Sequence, residues 1–202
     1  AQVIQISLTT GNAAIAGFTV KVADSMHGIV PRSTSADSLI VIVNNTFDGS
    51  AGTTDSKGFG IIAQNSQAKL VIQNNEILDF FDNQILLENH QGETLIENNT
   101  IVGYGGIFAM TYDGKNVTTP QRVIRNRFRN VQDGGAAIIF TGGWVNKNAA
   151  KYTNVEILDN DIILDSDNER GIGLYNESPS GAPDCDVIAH VANNRIVGKN
   201  VN

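Results

Sequence analysis

A six-residue pattern, Ile/Val-x-x-Asn-x-Ile/Phe, recurs along this chain of 202 residues. Its Asn positions lie 24 to 34 residues apart. The copies are IVNNTF (42–47), IQNNEI (72–77), IENNTI (96–101), VIRNRF (123–128), ILDNDI (157–162) and VANNRI (191–196). IAGFTV (15–20) fits the same frame, with Phe18 in the Asn position. Repeats of this length are typical of solenoids, in which each unit buries its apolar face only against neighbouring units.

A second marker, an isoleucine that usually follows glycine or alanine, alternates strictly with the Asn pattern. It comprises Ile29, Ile61, Ile85, Ile107, Ile138 and Ile172. Two periodic signals that stay in phase predict units of two short strands joined by turns. Because side chains alternate between the two faces of a strand, these isoleucines and the apolar ends of each Asn pattern should stack as inward-facing columns.

Composition supports an all-β chain and limits its partners. Charged residues make up 17% of the sequence, glycine occurs 20 times, and the net charge is −7. No basic stripe is present to neutralise phosphates, so we expect no nucleic-acid partner. No apolar run approaches the length of a membrane span. Cys185 is the single cysteine, so no disulfide can form within the chain.

The Ile-x-Asn-Asn-x-Ile copies resemble the parallel β-helix repeat of the pectate-lyase-like superfamily, over about residues 3–197. The resemblance implies a single-stranded right-handed parallel β-helix of six to seven coils. We expect residues 1–202 to form one such domain. No amphipathic capping helix is visible near either end, so the domain is expected to belong to a longer protein or to be capped by neighbours.

The repeated Asn-Asn dipeptide predicts a sharp corner in each coil. Asparagine tolerates the left-handed backbone region better than other non-glycine residues. Asparagines stacked at the spacing of neighbouring strands can also hydrogen-bond to one another through their side-chain amides. We therefore predict an asparagine ladder made of Asn45, Asn75, Asn99, Asn126, Asn160 and Asn194.

Longer connections gather on one side of the predicted coils and indicate a binding face. They are residues 111–121, 141–154 and 175–186. Four aromatic residues lie in or beside them, and flat rings with a polar edge suit stacking on sugars. The predicted substrate-binding residues are Tyr112, Trp144, Tyr152, Tyr175 and Glu177. The same rings could instead anchor the loops to the coils.

Glu88, His90 and Lys115 are the candidate catalytic residues, because a base and a cation near the loops suit chemistry on an acidic sugar. The resemblance implies a polysaccharide lyase or a glycoside hydrolase if the protein is an enzyme, and the sequence leaves open whether it is one. The catalytic motifs of polygalacturonases and alginate epimerases are missing. The Ca²⁺-binding acids of pectate lyases cannot be placed, so no metal or cofactor is predicted.

One apolar row is predicted on the outside of the coils, beside the isoleucine column. It comprises Val30, Ile62, Leu86, Phe108 and Ile139. Exposed rows of this size are usually covered by a loop, a neighbouring domain or another subunit. We expect an extracellular or cell-surface module that binds a polysaccharide in a loop-walled groove. If the module is an enzyme, it also cleaves that polysaccharide. The alternative is a non-enzymatic spike, adhesin or scaffold that associates through the apolar row.

Overall fold

A computed structural model describes residues 2–23, 26–51, 58–80, 82–112, 114–131, 135–143, 150–165, 169–176 and 186–198. Within these ranges the chain forms twenty-one strands, arranged in three parallel sheets of seven strands each. In the same ranges no helix is long and apolar enough to cross a membrane. The prediction of an all-β fold is confirmed.

The three sheets run along the length of the molecule. The first sheet contains β1 (Gln2–Leu8), β4 (His27–Ser33), β7 (Ile61–Gln64), β10 (Asn83–Glu88), β13 (Gly105–Thr111), β16 (Ala136–Gly142) and β19 (Arg170–Asn176). The second sheet contains β2 (Asn12–Ala16), β5 (Leu39–Val43), β8 (Lys69–Gln73), β11 (Thr94–Glu97), β14 (Gln121–Ile124), β17 (Tyr152–Leu158) and β20 (Val187–Ala192). The third sheet contains β3 (Thr19–Lys21), β6 (Thr46–Asp48), β9 (Glu76–Leu78), β12 (Thr100–Val102), β15 (Arg127–Val131), β18 (Asp161–Leu164) and β21 (Arg195–Val197).

Each coil contributes one strand to each sheet, so the molecule is a right-handed parallel β-helix of seven coils. The sequence predicted two strands in each unit, whereas each coil has three. Each Asn pattern contains two strands separated by a corner: in the second coil, β5 ends at Val43 and β6 begins at Thr46. The corner turns the chain from the second sheet into the third, and the isoleucine marker lies in the first sheet.

The predicted columns fill the interior. In the first sheet Ile29, Ile61, Ile85, Ile107 and Ile138 are fully buried and pair in register from coil to coil. Equivalent columns of fully buried residues, such as Ile42 and Ile72 in the second sheet, line the other two walls. Ile172, in the seventh coil, is only partly buried. The predicted inside and outside of the strands are therefore correct.

The asparagine ladder is continuous through six coils. In its middle, the side-chain oxygen of Asn99 accepts hydrogen bonds from the backbone N–H (2.9 Å) and the side-chain amide (3.0 Å) of Asn75. The amide nitrogen of Asn99 donates to the Ile72 carbonyl (2.9 Å) and to the side-chain oxygen of Asn126 (2.9 Å). Every ladder residue from Asn45 to Asn160 is buried, so these bonds satisfy polar groups that would otherwise be costly to bury.

The two residues of each Asn-Asn pair have different roles. The first residue takes the left-handed conformation, and the second forms the ladder: Asn98 has φ 55°, whereas Asn99 is absent from the positive-φ residues. The left-handed position is occupied by Gly17, Asn44, Asn74, Asn98, Arg125, Asp159 and Asn193. The predicted ladder residues are confirmed, and the corner uses two consecutive residues, one for the turn and one for the ladder.

Candidate functional site

The outer surfaces of the second and third sheets carry charged side chains that pair across coils. On the second sheet Arg122 lies between Glu93 (3.2 Å) and Glu156 (3.0 Å). On the third sheet Asp161 receives hydrogen bonds from Arg129 and Arg195, which lower its pKa. Exposed ion pairs of this kind add little stability, but they leave these charges already partnered. The first sheet has a different outer surface.

The predicted outer apolar row lies on the first sheet, and most of it is covered within the chain. Val30, Ile62 and Leu86 form a small buried cluster, separate from the interior core, against which Phe59 and Phe108 pack. These three residues are therefore not available to a partner in this structure. The apolar row is open to solvent only where Phe108 and Ile139 are partly exposed.

A polar row runs beside the apolar row on β4, β7 and β10, two residues further along each of these strands. Arg32 donates to the side-chain oxygen of Gln64 (2.9 Å), and the amide of Gln64 donates to Glu88. The hydroxyl of Tyr112 donates to the other carboxylate oxygen of Glu88. Two predicted site residues, Glu88 and Tyr112, are thus brought into direct contact. Both oxygens of Glu88 already accept hydrogen bonds from protein donors.

A cleft of about 210 Å³ opens on the first sheet where its strands begin. Phe108 and Ile139 of the apolar row contribute to its lining. Around them lie Asp82, Asn83, Tyr104, Arg170 and Tyr175, with small residues between them. The cleft therefore combines three aromatic rings with a carboxylate, an amide and a guanidinium group.

Tyr175 is held against the sheet by two neighbours on its own strand. Its ring occupies the space beside Gly173: a Cβ at that glycine would lie 2.4 Å from a ring carbon. The hydroxyl oxygen accepts a hydrogen bond from Arg170 (3.2 Å), whose guanidinium carbon is 5.7 Å from the ring centroid. These contacts fix the ring and the cation beside each other at one side of the cleft.

Asp82 and Asn83 stand at the other side of the cleft. The amide of Asn83 donates to the Asp82 carboxylate (2.8 Å). Gly105 in the next coil bonds to the backbone oxygen of Asp82 (2.9 Å), and a Cβ there would lie 2.4 Å from the Asn83 side chain. Desolvation raises the pKa of the Asp82 carboxyl. This group can accept hydrogen bonds from hydroxyls, or donate one when protonated.

The other predicted site residues lie elsewhere. His90 and Tyr152 are buried at corners next to the first sheet, so neither side chain can reach a ligand on the surface. His90 was a candidate catalytic residue, and its burial does not fit that role. The Tyr152 ring packs edge-on against Phe140 at 5.3 Å, as a core residue does. Lys115 is exposed in the turn after β13.

Two further site predictions, Trp144 and Glu177, lie outside the described residues. The cleft residues that sequence reasoning missed are Tyr104, Asp82 and Asn83. Tyr104 lies about twenty residues after Asp82 and Asn83 in the sequence, in the next coil. The register could have found them, because Asn83 pairs with Gly105 and so places Tyr104 beside Asp82 in the neighbouring coil.

The burial of His90 predicts that acid lowers the folding stability of the protein. Its ring is 1% exposed, neither nitrogen has a hydrogen-bond partner among the described residues, and burial lowers its pKa to about 4. The unfolded chain binds the proton first as the pH falls below about 6.5, so folding stability should drop between pH 6.5 and 4, by about 3 kcal/mol. Urea unfolding of the wild type and of His90→Leu at pH 7 and pH 4 measures this contribution.

The expected result is that His90→Leu loses less stability on acidification than the wild type. His190→Leu serves as the control, because it makes the same substitution at an exposed histidine. An acid dependence that is identical in the wild type and His90→Leu would contradict the assignment.

Among the described residues no group of three or more His, Cys, Asp or Glu side chains is arranged to hold a metal ion. Comparisons of the chain with protein-family models, curated proteins and solved structures found no match. The function therefore has to be argued from the outer face of the first sheet itself.

Proposed function

We propose that this protein binds a polysaccharide along the outer face of the first sheet, with one sugar unit held in the cleft between Tyr104 and Tyr175. The single observation that carries the proposal is the composition of this cleft. Aromatic rings pack against the apolar faces of sugars, while a carboxylate, an amide and a guanidinium group bind sugar hydroxyls. The cleft provides both kinds of contact within about 210 Å³.

The direction of the coils supports an elongated ligand. Strands of neighbouring coils lie about 4.8 Å apart, so the exposed side chains of the first sheet form a regular track along the molecule. The polar row that includes Gln64 and Glu88 borders this track, and a further cleft of about 330 Å³ lies beside Arg32 and Gln64. A linear polymer can contact several coils at once, which suits a chain of sugars better than a compact metabolite.

The asparagine ladder and parallel sheets are features shared with the pectate-lyase-like superfamily, and we propose that the chain is a distant member of it. Under this proposal the protein acts outside the cell or on its surface, where such polymers occur. The alternative scaffold role through the apolar row has less support, because Val30, Ile62 and Leu86 are covered within the chain.

The proposal predicts that Tyr175→Ala and Tyr104→Ala each weaken polysaccharide binding by about tenfold, the loss expected when one stacking ring is removed. A glycan array identifies the bound polymer, and calorimetry with that polymer gives the dissociation constants. Tyr152→Phe is the matched control, since it removes only the hydroxyl of a buried tyrosine and should bind as the wild type does.

The proposal fails if the array shows no bound polysaccharide, or if both cleft variants bind as tightly as the control. Catalysis is tested separately with the same polymer. Release of unsaturated products would add lyase activity to the binding function, and a hydrolase would release reducing ends instead.

A further inference from the structure

Asp82 brings a negative charge to the cleft, and no cationic side chain among the described residues neutralises it. Its carboxylate accepts a hydrogen bond from the neutral amide of Asn83 (2.8 Å), and no described lysine, arginine or histidine pairs with it. The residue is exposed, so a ligand in the cleft can reach the carboxylate. The charge is therefore available to a ligand that carries a cation.

Arg170, the cation of the cleft, is engaged by Tyr175. It donates to the tyrosine hydroxyl (3.2 Å), and its guanidinium carbon lies 5.7 Å from the ring centroid. Arg170 is exposed, so water solvates its charge. Although Asp82 is also exposed as a residue, its carboxyl group is desolvated enough to raise its pKa. A partly desolvated charge gains more from a new partner than a solvated charge does, so Asp82 has the stronger influence on the charge of the ligand.

The turns that join the third sheet to the first sheet beside the cleft are acidic. Their sequences contain six acidic residues and no lysine or arginine, in residues 79–82, 103–104, 132–135 and 165–169. One of these acids is Glu169, and neither of its carboxylate oxygens has a hydrogen-bond partner among the described residues. The whole chain carries a net charge of −7. Negative charge around a binding site attracts cationic ligands and repels anionic ones.

The aromatic rings of the cleft also suit a cation. Tyr104 and Phe108 line the cleft together with Asp82. The face of an aromatic ring attracts an ammonium group, and a carboxylate beside the ring adds a direct ion pair. The apolar part of a sugar ring packs on the same aromatic surfaces. The cleft can therefore hold the ring and the charge of one sugar unit at the same time.

We propose that the cleft selects a sugar that carries a protonated amino group, and that Asp82 is the residue that recognises this group. The assignment rests on the proposed binding of a polysaccharide and names its class, a linear polymer of amino sugars with free amines. A hydroxyl in place of the amine is neutral and gains no ion pair. An acetylated amine is also neutral, and it adds bulk within a cleft of about 210 Å³.

Three oligosaccharides that differ only at carbon 2 of each sugar test the assignment. They are the hexamers of 1,4-linked β-glucosamine, β-N-acetylglucosamine and β-glucose. Calorimetry at about pH 6, below the usual pKa of such amines and above that of carboxyls, gives the dissociation constants. The wild type should bind the glucosamine hexamer at least tenfold more tightly than the other two, the gain expected from one hydrogen-bonded ion pair.

Asp82→Asn should lower the affinity for the glucosamine hexamer about tenfold and leave the affinities for the two neutral hexamers unchanged. The asparagine has the shape of the aspartate, and its amide oxygen can still accept a hydrogen bond from Asn83. Asp37→Asn is the matched control, because it makes the same change of net charge at an exposed residue that does not line the cleft. Thermal melts verify that both variants are folded.

The assignment is overturned if the wild type binds the three hexamers equally or binds none of them. Equal weakening by Asp82→Asn and Asp37→Asn would also overturn it, since only the overall charge would then matter. If a neutral or acidic polymer binds through Tyr104 and Tyr175 more tightly than the glucosamine hexamer does, this assignment fails while the proposed function stands. If no polysaccharide binds, both fail.

Discussion

Replacing Ile96 by aspartate should prevent the protein from folding, whereas the same change at its neighbour Leu95 should be tolerated. Ile96 is fully buried between the equivalent residues Ile72 and Val123, and a carboxylate there would have no partner. The free-energy cost of burying an unpaired charge exceeds the net folding stability of most domains. Circular dichroism and urea unfolding of both variants measure the difference.

Leu95→Asp is the matched control because it lies on the same strand and faces outward, beside Arg122 of the next coil. Its carboxylate remains in water near a guanidinium group, so the expected loss of stability is about 1 kcal/mol or less. If Leu95→Asp were as damaging as Ile96→Asp, the inward and outward assignment of the second sheet would have to be reversed.

Replacing Asn99 by alanine should destabilise the protein by about 4 kcal/mol, because four side-chain hydrogen bonds are lost inside the ladder. The groups left behind, including the backbone N–H of Asn75 and the carbonyl of Ile72, are buried and have no replacement partners nearby. Chemical denaturation at neutral pH measures the change in unfolding free energy.

The control is Asn194→Ala, at the ladder position of the seventh coil. Asn194 also makes four side-chain hydrogen bonds, but they are only partly buried, and water can replace the lost partners. We expect a loss of about 1 kcal/mol there. Equal losses at the two positions would show that burial of the ladder contributes nothing to its strength.

The sequence predicts the coils well because every coil has the same structural requirements. An inward apolar residue and a corner amide are needed in every unit, so the pattern recurs and can be aligned. The pattern does not show that the two residues of each Asn-Asn pair have different structural roles. The sequence already places Asn99 in the ladder, and the structure adds that the residue before it makes the turn, as Asn98, Arg125 and Asp159 do in their coils.

The candidate site was less predictable for two physical reasons. First, the alternation of side chains breaks down at corners, so His90 turns into the core just after the regular strand β10 has ended. Second, the cleft is assembled from residues of successive coils, such as Asp82, Tyr104 and Arg170. Their proximity depends on the register between strands and on glycines that leave room for close neighbours. Neither can be predicted from the identity of a single residue.

The parallel stacking of the coils also determines how the molecule would respond to a mechanical load. All backbone hydrogen bonds between coils run along the long axis, and each coil touches only its neighbours. A pull applied to the two ends would therefore place the full force on every interface in series, so the interfaces would break one after another. The chain would lengthen in steps of one coil, each releasing between 24 and 34 residues.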